Sequence, residues 1–542
     1  MQKTNLFQLK TSYLQQLVAC VALGAVLAPV GVQAQSAAKK PAAKTSFQTQ
    51  CDMGDAALAS PCAILDDQGR QIILRGINAR VKGIFDVNFS DGRKPSQYIA
   101  EFSKKDTDEM RKLGFYFLRL PIQWSGIEPE MGKYDKAYIE RIGKVLDLCH
   151  QAGIKVMLDM HQDAYSKEIG EDGAPLWAIV PEPEKRNPGG KFMDELIFMR
   201  LSAQTQKAFG SFWKNVPVNG KGLQDSFIDS MMQVVTTYKD HPALVGMEIF
   251  NEPWLDHING LLGEMGEAKV PGLSQKLLLD FYTKAMARMT QVAPSKLIFF
   301  EPDVAKNFPY VLPADAPTEN KPYGAIVPSP IPWKTEHTVY APHFYVEGFF
   351  LPGDEVDGFP KLKADDPDID LNMRNSVAEA KAYKAPLMIG EFGFTDKSPK
   401  YGEVLNKLMS FADQNAAHTA QWVWKENSQD SWGFYDFKDG KPTLREKTAK
   451  ATARAYPQAI SGRILSTSFN PANYELKVGF RYLETKAPHT LFLPIKYGYK
   501  NGYSVSCDGQ PVKPTSADAF GQIQVECGKE NGKTYTLKVV AN

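Results

Sequence analysis

Residues 244–253 read LVGMEIFNEP, an almost unbroken apolar run that ends in the polar group Asn251-Glu252-Pro253. Comparable apolar runs lie at residues 72–79, 115–122, 155–162, 296–302, 337–345, 386–393 and 419–427. Such runs are typical of parallel strands that are covered on both faces. Helical patterns separate them, for example at residues 138–152 and 277–292. Eight strands with helical crossovers predict an α/β fold, a (β/α)8 TIM barrel.

The alternative architecture is an open doubly wound sheet, but no glycine-rich phosphate-binding turn follows the first run. Beyond about residue 456 the helical pattern stops, and alternating runs follow at residues 474–481, 490–495, 503–507, 522–527 and 534–540. Alternation with turn residues between the runs predicts a small antiparallel β-sandwich. We therefore expect a barrel over residues 51–455 and a C-terminal β-sandwich over residues 456–542.

The N-terminus has the features of an export signal. Lys3 and Lys10 precede an apolar run at residues 17–32, and residues 32–34 (VQA) offer a small-residue cleavage site before Gln35. We expect residues 1–34 to be a signal peptide, residues 35–50 to be a disordered linker, and the protein to be secreted or periplasmic. A lipid anchor at Cys20 is the alternative, but cleavage there would leave most of the apolar run attached.

Charge and cysteine content narrow the range of partners. The chain has 63 basic and 62 acidic residues with no long run of one sign, which argues against a nucleic-acid-binding protein. Cys51 with Cys62, and Cys507 with Cys527, are spaced for two local disulfides, which form in an oxidising compartment. Cys149 falls in an apolar helical pattern and is expected to be a buried, unreactive thiol. No cluster has metal-ligand spacing, and no cofactor is predicted.

Polar side chains follow nearly every predicted strand at its carboxyl end, where barrels of this kind carry their active sites. They are Arg119 on strand two, Asp159, His161 and Asp163 on strand three, Asn251 and Glu252 on strand four, His343 and Tyr345 on strand six, Glu391 on strand seven and Trp424 on strand eight. Glu252 and Glu391 should therefore face each other across the mouth of the barrel. Two facing carboxyl groups are what double-displacement hydrolysis of a glycoside requires. The alternative for either glutamate is a helix cap or a surface ion pair.

The neighbours of the two glutamates predict their roles. Asn251 precedes Glu252 and is placed to bond a sugar 2-hydroxyl, so Glu252 is predicted to be the acid/base. Arg119 and Tyr345 would hold Glu391 ionised, which suits a nucleophile. This division of labour needs a raised pKa at Glu252 and a low pKa at Glu391. Retention of configuration predicts carboxyl groups about 5–5.5 Å apart, and inversion predicts about 6.5–9.5 Å.

The other strand-end residues are predicted to bind sugar. His161 lies between Asp159 and Asp163, which favours hydroxyl binding; the alternatives are a core histidine and half of a metal site. Trp424 offers a flat face to a pyranose ring, whereas Trp422, two positions earlier, is predicted to fill the barrel.

Asn251-Glu252-Pro253 on strand four, together with Gly390-Glu391-Phe392-Gly393 on strand seven, resembles glycoside hydrolase family five over about residues 64–430. Within that family the chain is most similar to the endoglycoceramidases, through RGIN at residues 75–78, Lys82, the DxHxD pattern at residues 159–163 and EDGAPLWA at residues 171–178. The resemblance implies Glu252 as acid/base and Glu391 as nucleophile. It also implies a trailing β-sandwich, and sugar sites lined by Lys82, Asp159, His161, Asp163, Trp177, Asn251, Tyr345 and Trp424. The proline-rich residues 313–333 depart from the family pattern.

The resemblance further implies a monomeric enzyme that hydrolyses the bond between the sugar and the ceramide of glycosphingolipids, uses no cofactor and touches membrane surfaces transiently. Apolar loop residues would line a ceramide side of the mouth, opposite the polar sugar side; they are Ile179, Val180, Phe344, Phe349, Phe350 and Leu351. The alternative is that these residues only seal helices against the barrel. The competing functions are an endo-β-1,4-glucanase or other β-glycan hydrolase, and a non-catalytic glycan-binding barrel.

Overall fold

The computed structural model describes residues 47–85, 89, 91–94, 99–189, 199–200, 202–254, 273–304, 333–334, 336–345, 355–356, 359–360, 367–394, 396–425, 432–438, 441–485 and 487–542. The predicted signal peptide, the alternative lipidation site at Cys20, residues 35–46 of the predicted linker and residues 313–332 lie outside these ranges.

Eight parallel strands form the central sheet. They are Arg75–Asn78, Phe117–Gln123, Lys155–His161, Leu244–Glu248, Leu297–Phe300, Thr338–Tyr340, Met388–Ile389 and His418–Gln421. Strands that are consecutive in the chain pair side by side, and the first also pairs with the eighth. Parallel bridges from Tyr340 to Leu387 and from Phe344 to Phe392 join the sixth strand to the seventh and close the ring. The predicted (β/α)8 barrel is confirmed.

Helices connect these strands and cover the sheet. They are Lys104–Lys112, Trp124–Ile127, Lys136–Gln151, Ala203–Trp213, Leu223–Tyr238, Leu273–Val292, Pro367–Tyr383, Tyr401–Gln414 and Glu446–Thr452. Helix Lys136–Gln151 begins where the Asp135 side chain accepts a bond from the Tyr138 backbone N–H, and Cys149 lies on its buried face. Burial raises the pKa of the Cys149 thiol, which suits the expected unreactive cysteine. No helix in the described ranges is long and apolar enough to cross a membrane.

Two antiparallel sheets form the β-sandwich. One contains Gln48–Cys51, Cys62–Leu65, Gln71–Ile72, Tyr456–Ile460, His489–Phe492 and Gln522–Val525. The other contains Gly462–Asn470, Glu475–Tyr482, Tyr503–Cys507, Gln510–Pro511 and Thr534–Ala541. Both predicted disulfides are present, Cys51–Cys62 between the first two strands and Cys507–Cys527 in the C-terminal part.

The N-terminal strands of the sandwich correct three boundaries. Strand Gln48–Cys51 begins inside the predicted linker, and residues 48–72 join the sandwich although they were assigned to linker and barrel. The apolar run at residues 72–79 is two strands, Gln71–Ile72 in the sandwich and Arg75–Asn78 in the barrel. Both pieces are buried, so the hydrophobic pattern alone does not separate them.

An apolar layer joins the two domains beneath the barrel. Phe117, Phe299 and Met388 from barrel strands lie in one buried cluster with Ile72 and Ala459 from the sandwich. This layer closes the amino end of the barrel. Polar groups are therefore left to gather at the opposite, carboxyl end of the strands.

Candidate active site

Glu252 and Glu391 lie just beyond the fourth and seventh barrel strands, and their side chains meet at the barrel mouth. Both residues are buried, with 6% and 4% of their surface exposed. One carboxylate oxygen of each lies within 4.8 Å of the other, and both lie within 4.8 Å of a ring nitrogen of His343. Glu252 has a φ of +41°, a left-handed conformation that non-glycine residues adopt mainly where structure or function demands it. The two carboxyl groups thus face each other as predicted for a glycoside-cleaving pair.

Glu391 is held by two donors. Its Oε1 accepts a bond from Arg119 Nη1 at 2.5 Å, and its Oε2 accepts a bond from the Tyr345 hydroxyl at 2.8 Å. Burial and the Glu391 charge raise the pKa of Tyr345, so the phenol keeps its proton and remains a donor. Gly393, two residues on, passes close to the eighth strand, because a Cβ there would lie 2.5 Å from the Trp422 carbonyl oxygen. A carboxylate fixed by two donors and aimed into the mouth is suited to nucleophilic attack.

Arg119 is the centre of the buried polar network. Its guanidinium bonds Glu248 Oε2 at 2.5 Å, Asn251 Oδ1 at 2.7 Å and Asp159 Oδ2 at 3.0 Å, in addition to Glu391. Burial raises the pKa of Asp159 to about 6 and that of Glu248 to about 7, although Arg119 opposes the rise at both. Both shifts favour the protonated forms of these carboxyl groups, which limits the negative charge beside Glu391.

The environment of Glu252 differs from the one predicted for it. Its Oε1 lies 3.0 Å from His343 Nδ1, and its Oε2 accepts a bond from Arg200 Nη2 at 2.7 Å. Burial alone would raise the pKa of Glu252, but the charges of Arg200 and His343 outweigh burial and lower it. The raised pKa expected of a proton donor is therefore wrong for this site, because Arg200 and His343 together lower the pKa.

His343 is the second cation at Glu252. Burial would lower the pKa of its imidazole, but the neighbouring carboxylates of Glu301 and Glu391 outweigh burial and raise it. Its Nε2 lies 3.2 Å from Glu301 Oε1 and its Nδ1 lies 3.5 Å from Glu391 Oε2. His343 thus links Glu252 to Glu391, whereas its position after the sixth strand had suggested sugar binding.

His161 lies between its two aspartates as the sequence suggested. Its Nδ1 is 2.6 Å from Asp159 Oδ2, and its Nε2 is 3.4 Å from Asp163 Oδ2 and 3.5 Å from Asn251 Nδ2. The ring stacks on Trp422 with centroids 5.7 Å apart. Burial lowers the pKa of His161, so the ring is neutral and can exchange hydrogen bonds with hydroxyl groups.

The two tryptophans after the eighth strand do not pack as predicted. Trp424 is 1% exposed and donates from Nε1 to Asp106 Oδ1 at 3.1 Å, so it belongs to the core. Trp422 instead stacks on His161 and lies under the Arg80 guanidinium, 5.5 Å from its ring centroid. The prediction assumed that both residues continue the eighth strand, where side chains two positions apart share a face. The regular strand ends at Gln421, before either tryptophan, so this alternation does not apply to them.

Lys82 and Trp177 are not brought to the two glutamates by the contacts that the structure describes. Lys82 has a side chain 51% exposed and pairs with the still more exposed Glu101 at 2.9 Å. Trp177 packs edge-on against Trp124, with ring centroids 5.2 Å apart, and donates to the Glu128 carbonyl at 3.2 Å. The sugar-binding roles implied for both residues are therefore not supported at the carboxylate pair.

Only part of the predicted apolar side of the mouth falls within the described residues. Ile179 and Phe344 are buried in the barrel core, so they seal the fold instead of lining the mouth. Phe349, Phe350 and Leu351 lie outside the described residues. Trp432, which the sequence reasoning missed, is half-buried and packs on Tyr345 with centroids 5.7 Å apart.

Three groups of described side chains bring ligand-type atoms within 4.8 Å of one another. They are His161 with Asp163 and Asp172, Glu248 with Glu301 and His343, and Glu252 with His343 and Glu391. Arg119, Arg200 and His343 contact carboxylates in these groups, so side-chain cations balance much of the negative charge. The arrangement therefore suits the binding of hydroxyl groups, with carboxylates as acceptors and cations as donors.

Comparison with known proteins agrees with this geometry. The family model described as "Cellulase (glycosyl hydrolase family 5)" matches residues 66–428, and the "Glycoside hydrolase family 5 C-terminal domain" matches residues 454–539. Endoglycoceramidase I of Rhodococcus hoagii (strain 103S) is 25% identical to the chain over 86% of this chain and 87% of the relative. The endoglycoceramidase of Hydra vulgaris is 23% identical over 88% and 87%.

Solved structures share the fold. Endo-glycoceramidase II from Rhodococcus sp., in a ganglioside GM3 complex, superposes with a TM-score of 0.67 at 23% identity over 88% of this chain and 99% of that one. A crystal structure of endogalactoceramidase superposes with a TM-score of 0.63 at 22% identity over 89% and 98%.

Proposed function

Because the chain belongs to glycosyl hydrolase family 5, we propose that it is a retaining endo-β-glycosidase that splits the bond between the sugar and the ceramide of glycosphingolipids. The chemistry rests on one observation, the short gap between the two glutamates. Carboxylate oxygens of Glu252 and Glu391 lie within 4.8 Å of each other. Two carboxylates whose nearest oxygens come this close fit the retaining arrangement, with carboxyl groups about 5–5.5 Å apart, better than the inverting one at about 6.5–9.5 Å, which must admit a water between them.

The proposed reaction has two steps. In the first, the Glu391 carboxylate bonds to the anomeric carbon while the Glu252 carboxyl gives its proton to the glycosidic oxygen. The carbon–oxygen bond breaks, and the aglycone leaves as an alcohol. In the second, the Glu252 carboxylate takes a proton from water, whose oxygen attacks the anomeric carbon. The bond between the anomeric carbon and Glu391 breaks, the sugar is released, and both glutamates return to their starting states.

The substrate class is supported by relatives that extend over most of the chain. Endoglycoceramidases of Rhodococcus hoagii and Hydra vulgaris both cover more than four fifths of it. The second candidate is an endo-β-glucanase, which the description of the matching family model as a cellulase favours. A non-catalytic glycan-binding barrel is disfavoured because both glutamates are present with their hydrogen-bonding partners.

A panel of substrates distinguishes these functions. Purified chain is offered lactosylceramide, glucosylceramide, galactosylceramide and soluble cellulose, and the products are identified by mass spectrometry. We expect intact sugar and ceramide from at least one of the glycolipids. Activity confined to cellulose would overturn the glycosphingolipid assignment but leave the two-glutamate mechanism standing.

We also propose that the protein is exported as a monomer and meets its substrate at a membrane surface. The export-signal pattern at residues 1–34 and the two disulfides support this location. The mature chain should begin at Gln35 by mass spectrometry. A lipid-modified Cys20 at the N-terminus would instead establish an anchored form. Sedimentation with glycolipid vesicles and analytical ultracentrifugation test the transient membrane contact and the monomer.

A further inference from the structure

Each oxygen of the Glu252 carboxylate contacts a side-chain cation. His343 Nδ1 lies 3.0 Å from Oε1, and Arg200 Nη2 donates to Oε2 at 2.7 Å. A general acid must carry a proton on one oxygen and present it to the leaving oxygen. The guanidinium of Arg200 offers only donors, so it cannot share Oε2 with a proton. Glu252 therefore cannot protonate a substrate through Oε2 while Arg200 stays in this position.

Arg200 is shared between Glu252 and a predicted sugar-binding residue. The same Nη2 atom also contacts Asp163 Oδ1, and the other oxygen of Asp163 lies 3.4 Å from His161 Nε2. A sugar that bonds to Asp163 through its hydroxyl groups would compete with Arg200 for this carboxylate. Arg200 therefore connects the sugar site to the proton donor.

The backbone of Arg200 is held by a hydrogen bond from Gln206, and movement of the Arg200 side chain alone would release Glu252. The Arg200 carbonyl accepts a bond from Gln206 Nε2 at 2.5 Å. Gln206 Oε1 in turn accepts from Trp254 Nε1 at 3.1 Å, and Trp254 lies two residues beyond Glu252. The Arg200 side chain itself is 12% exposed, so it has a route towards solvent.

We propose that Arg200 is a positioning residue that keeps Glu252 in its carboxylate form until sugar hydroxyl groups bind at Asp163 and displace the guanidinium from Oε2. The inference rests on the proposed glycosidase function. Under this proposal Glu252 can be protonated and act as a general acid only when sugar is bound at Asp163. The contact with Arg200 also contributes to the lowered pKa of Glu252.

The charged groups that remain around Glu252 determine its pKa once Arg200 is displaced. His343, after the sixth strand, remains as a cation on Oε1. The negative charges of Glu391, after the seventh strand, and of Asp159, on the third, disfavour a second carboxylate nearby, as does burial. Once Arg200 leaves, burial and the charges of Glu391 and Asp159 raise the pKa of Glu252 towards the range that a general acid needs, while His343 still opposes the rise.

The test is the pH dependence of kcat/KM, which reports ionisations of the free enzyme. On lactosylceramide, the alkaline limb of Arg200→Gln should lie about one pH unit or more above that of the wild type, because Glu252 then holds its proton longer. On 2,4-dinitrophenyl β-lactoside, whose leaving group needs no proton, the limb should not move. Arg200→Lys keeps the positive charge but cannot contact Glu252 and Asp163 at the same time as the guanidinium does. Its alkaline limb should therefore also move to higher pH, but by less than that of Arg200→Gln.

A matched control comes from the same part of the chain. Arg186 pairs with Glu168 and Asp91 and has no described contact with Glu252, so Arg186→Gln should keep the wild-type profile. Equal alkaline limbs in the wild type, Arg200→Gln and Arg200→Lys would overturn the proposal, as would equal shifts on both substrates. If Arg200→Gln does not fold, Arg200→Lys decides.

The experiment distinguishes a wrong substrate assignment from a wrong role for Arg200. If the wild type releases no sugar from lactosylceramide but cleaves the aryl lactoside, the glycolipid assignment fails. The same profiles recorded on cellotetraose, whose leaving group also needs a proton, then decide the role of Arg200 by the same criterion.

Discussion

Arg119 shows at the scale of one residue how the buried site is organised. It binds groups from the first, third, fourth and seventh barrel strands, among them Asn78, Asp159, Glu248 and Glu391. Because the guanidinium has five donors in a fixed plane, it can hold several acceptors in one geometry. Glu391, the proposed nucleophile, is thus positioned by a side chain that the surrounding strands themselves position.

The two glutamates should respond differently to amide substitution. Glu391→Gln removes the nucleophile and should lower kcat/KM by about 10³-fold or more on lactosylceramide and on 2,4-dinitrophenyl β-lactoside alike. Glu252→Gln removes only the proton donor, so it should lower kcat/KM by about 10²-fold or more on lactosylceramide and much less on the aryl lactoside. Steady-state kinetics on both substrates measure this difference. Equal losses for both variants on both substrates would contradict the assigned roles.

Glu248 should make stability depend on pH. Its pKa is raised to about 7 in the folded chain by burial, so the folded state binds its proton more tightly than the unfolded state does. Its contribution to stability is therefore complete below the ordinary glutamate pKa and is lost as the pH rises towards about 7.

In the wild type the free energy of unfolding should fall between pH 5 and pH 8 as Glu248 loses its proton. Glu248→Gln, whose side chain stays neutral, should make this fall smaller by about 2 kcal/mol. Urea unfolding at the two pH values measures it. Glu403→Gln, which alters an exposed ion pair with Lys400, is the control and should leave the pH dependence unchanged. A wild-type pH dependence in Glu248→Gln would show that Glu248 ionises normally in the folded chain.

Strand position explains which site residues could be predicted from the sequence. Glu252, Glu391 and Tyr345 each follow an apolar run, and that pattern alone places them at the barrel mouth. Arg200 follows the short apolar stretch at residues 196–199, but it lies just before helix Ala203–Trp213 and outside the eight predicted strands, so its contact with Glu252 depends on tertiary folding. Glu248 did carry a signal, since it is a lone acidic residue within an apolar strand.

At the scale of elements, the end of the eighth strand separates a core tryptophan from a site tryptophan. Trp424→Phe loses the hydrogen bond to Asp106 and leaves a cavity, so we expect about 2–3 kcal/mol of destabilisation with kcat/KM changed less than about threefold. Trp422→Phe removes much of the ring that supports His161 and should lower kcat/KM about tenfold or more. Thermal unfolding and kinetics on the two variants test this division. A larger kinetic defect in Trp424→Phe would reverse it.

The division of residues 71–78 into two strands marks a limit of sequence patterns at this scale. Gln71–Ile72 pairs antiparallel with the sandwich strand Tyr456–Ile460, whereas Arg75–Asn78 pairs in parallel with barrel strands. Partners hundreds of residues away decide this assignment, and the local apolar pattern is the same for both. Eight buried runs could be recognised from the sequence, but the sheet to which a short run belongs could not.

At the scale of the whole molecule, barrel and sandwich should unfold together. Phe47, Ile64 and Ala459 from the sandwich side share one buried cluster with Phe117 and Phe299 from the barrel. Separation of the domains would expose this apolar layer to water. We expect one calorimetric transition for the full chain, with equal calorimetric and van't Hoff enthalpies. Two transitions more than about 5 °C apart would show that the shared layer contributes little.

The central claim, retaining cleavage between sugar and ceramide, is tested most directly by proton NMR of the first product. The chain is mixed with lactosylceramide in detergent, and the anomeric signals of the released sugar are followed before mutarotation. Because the nearest oxygens of Glu252 and Glu391 lie within 4.8 Å of each other, we expect intact lactose, released first as the β-anomer, together with ceramide. First release of α-lactose, or of galactose without lactose, would contradict the account.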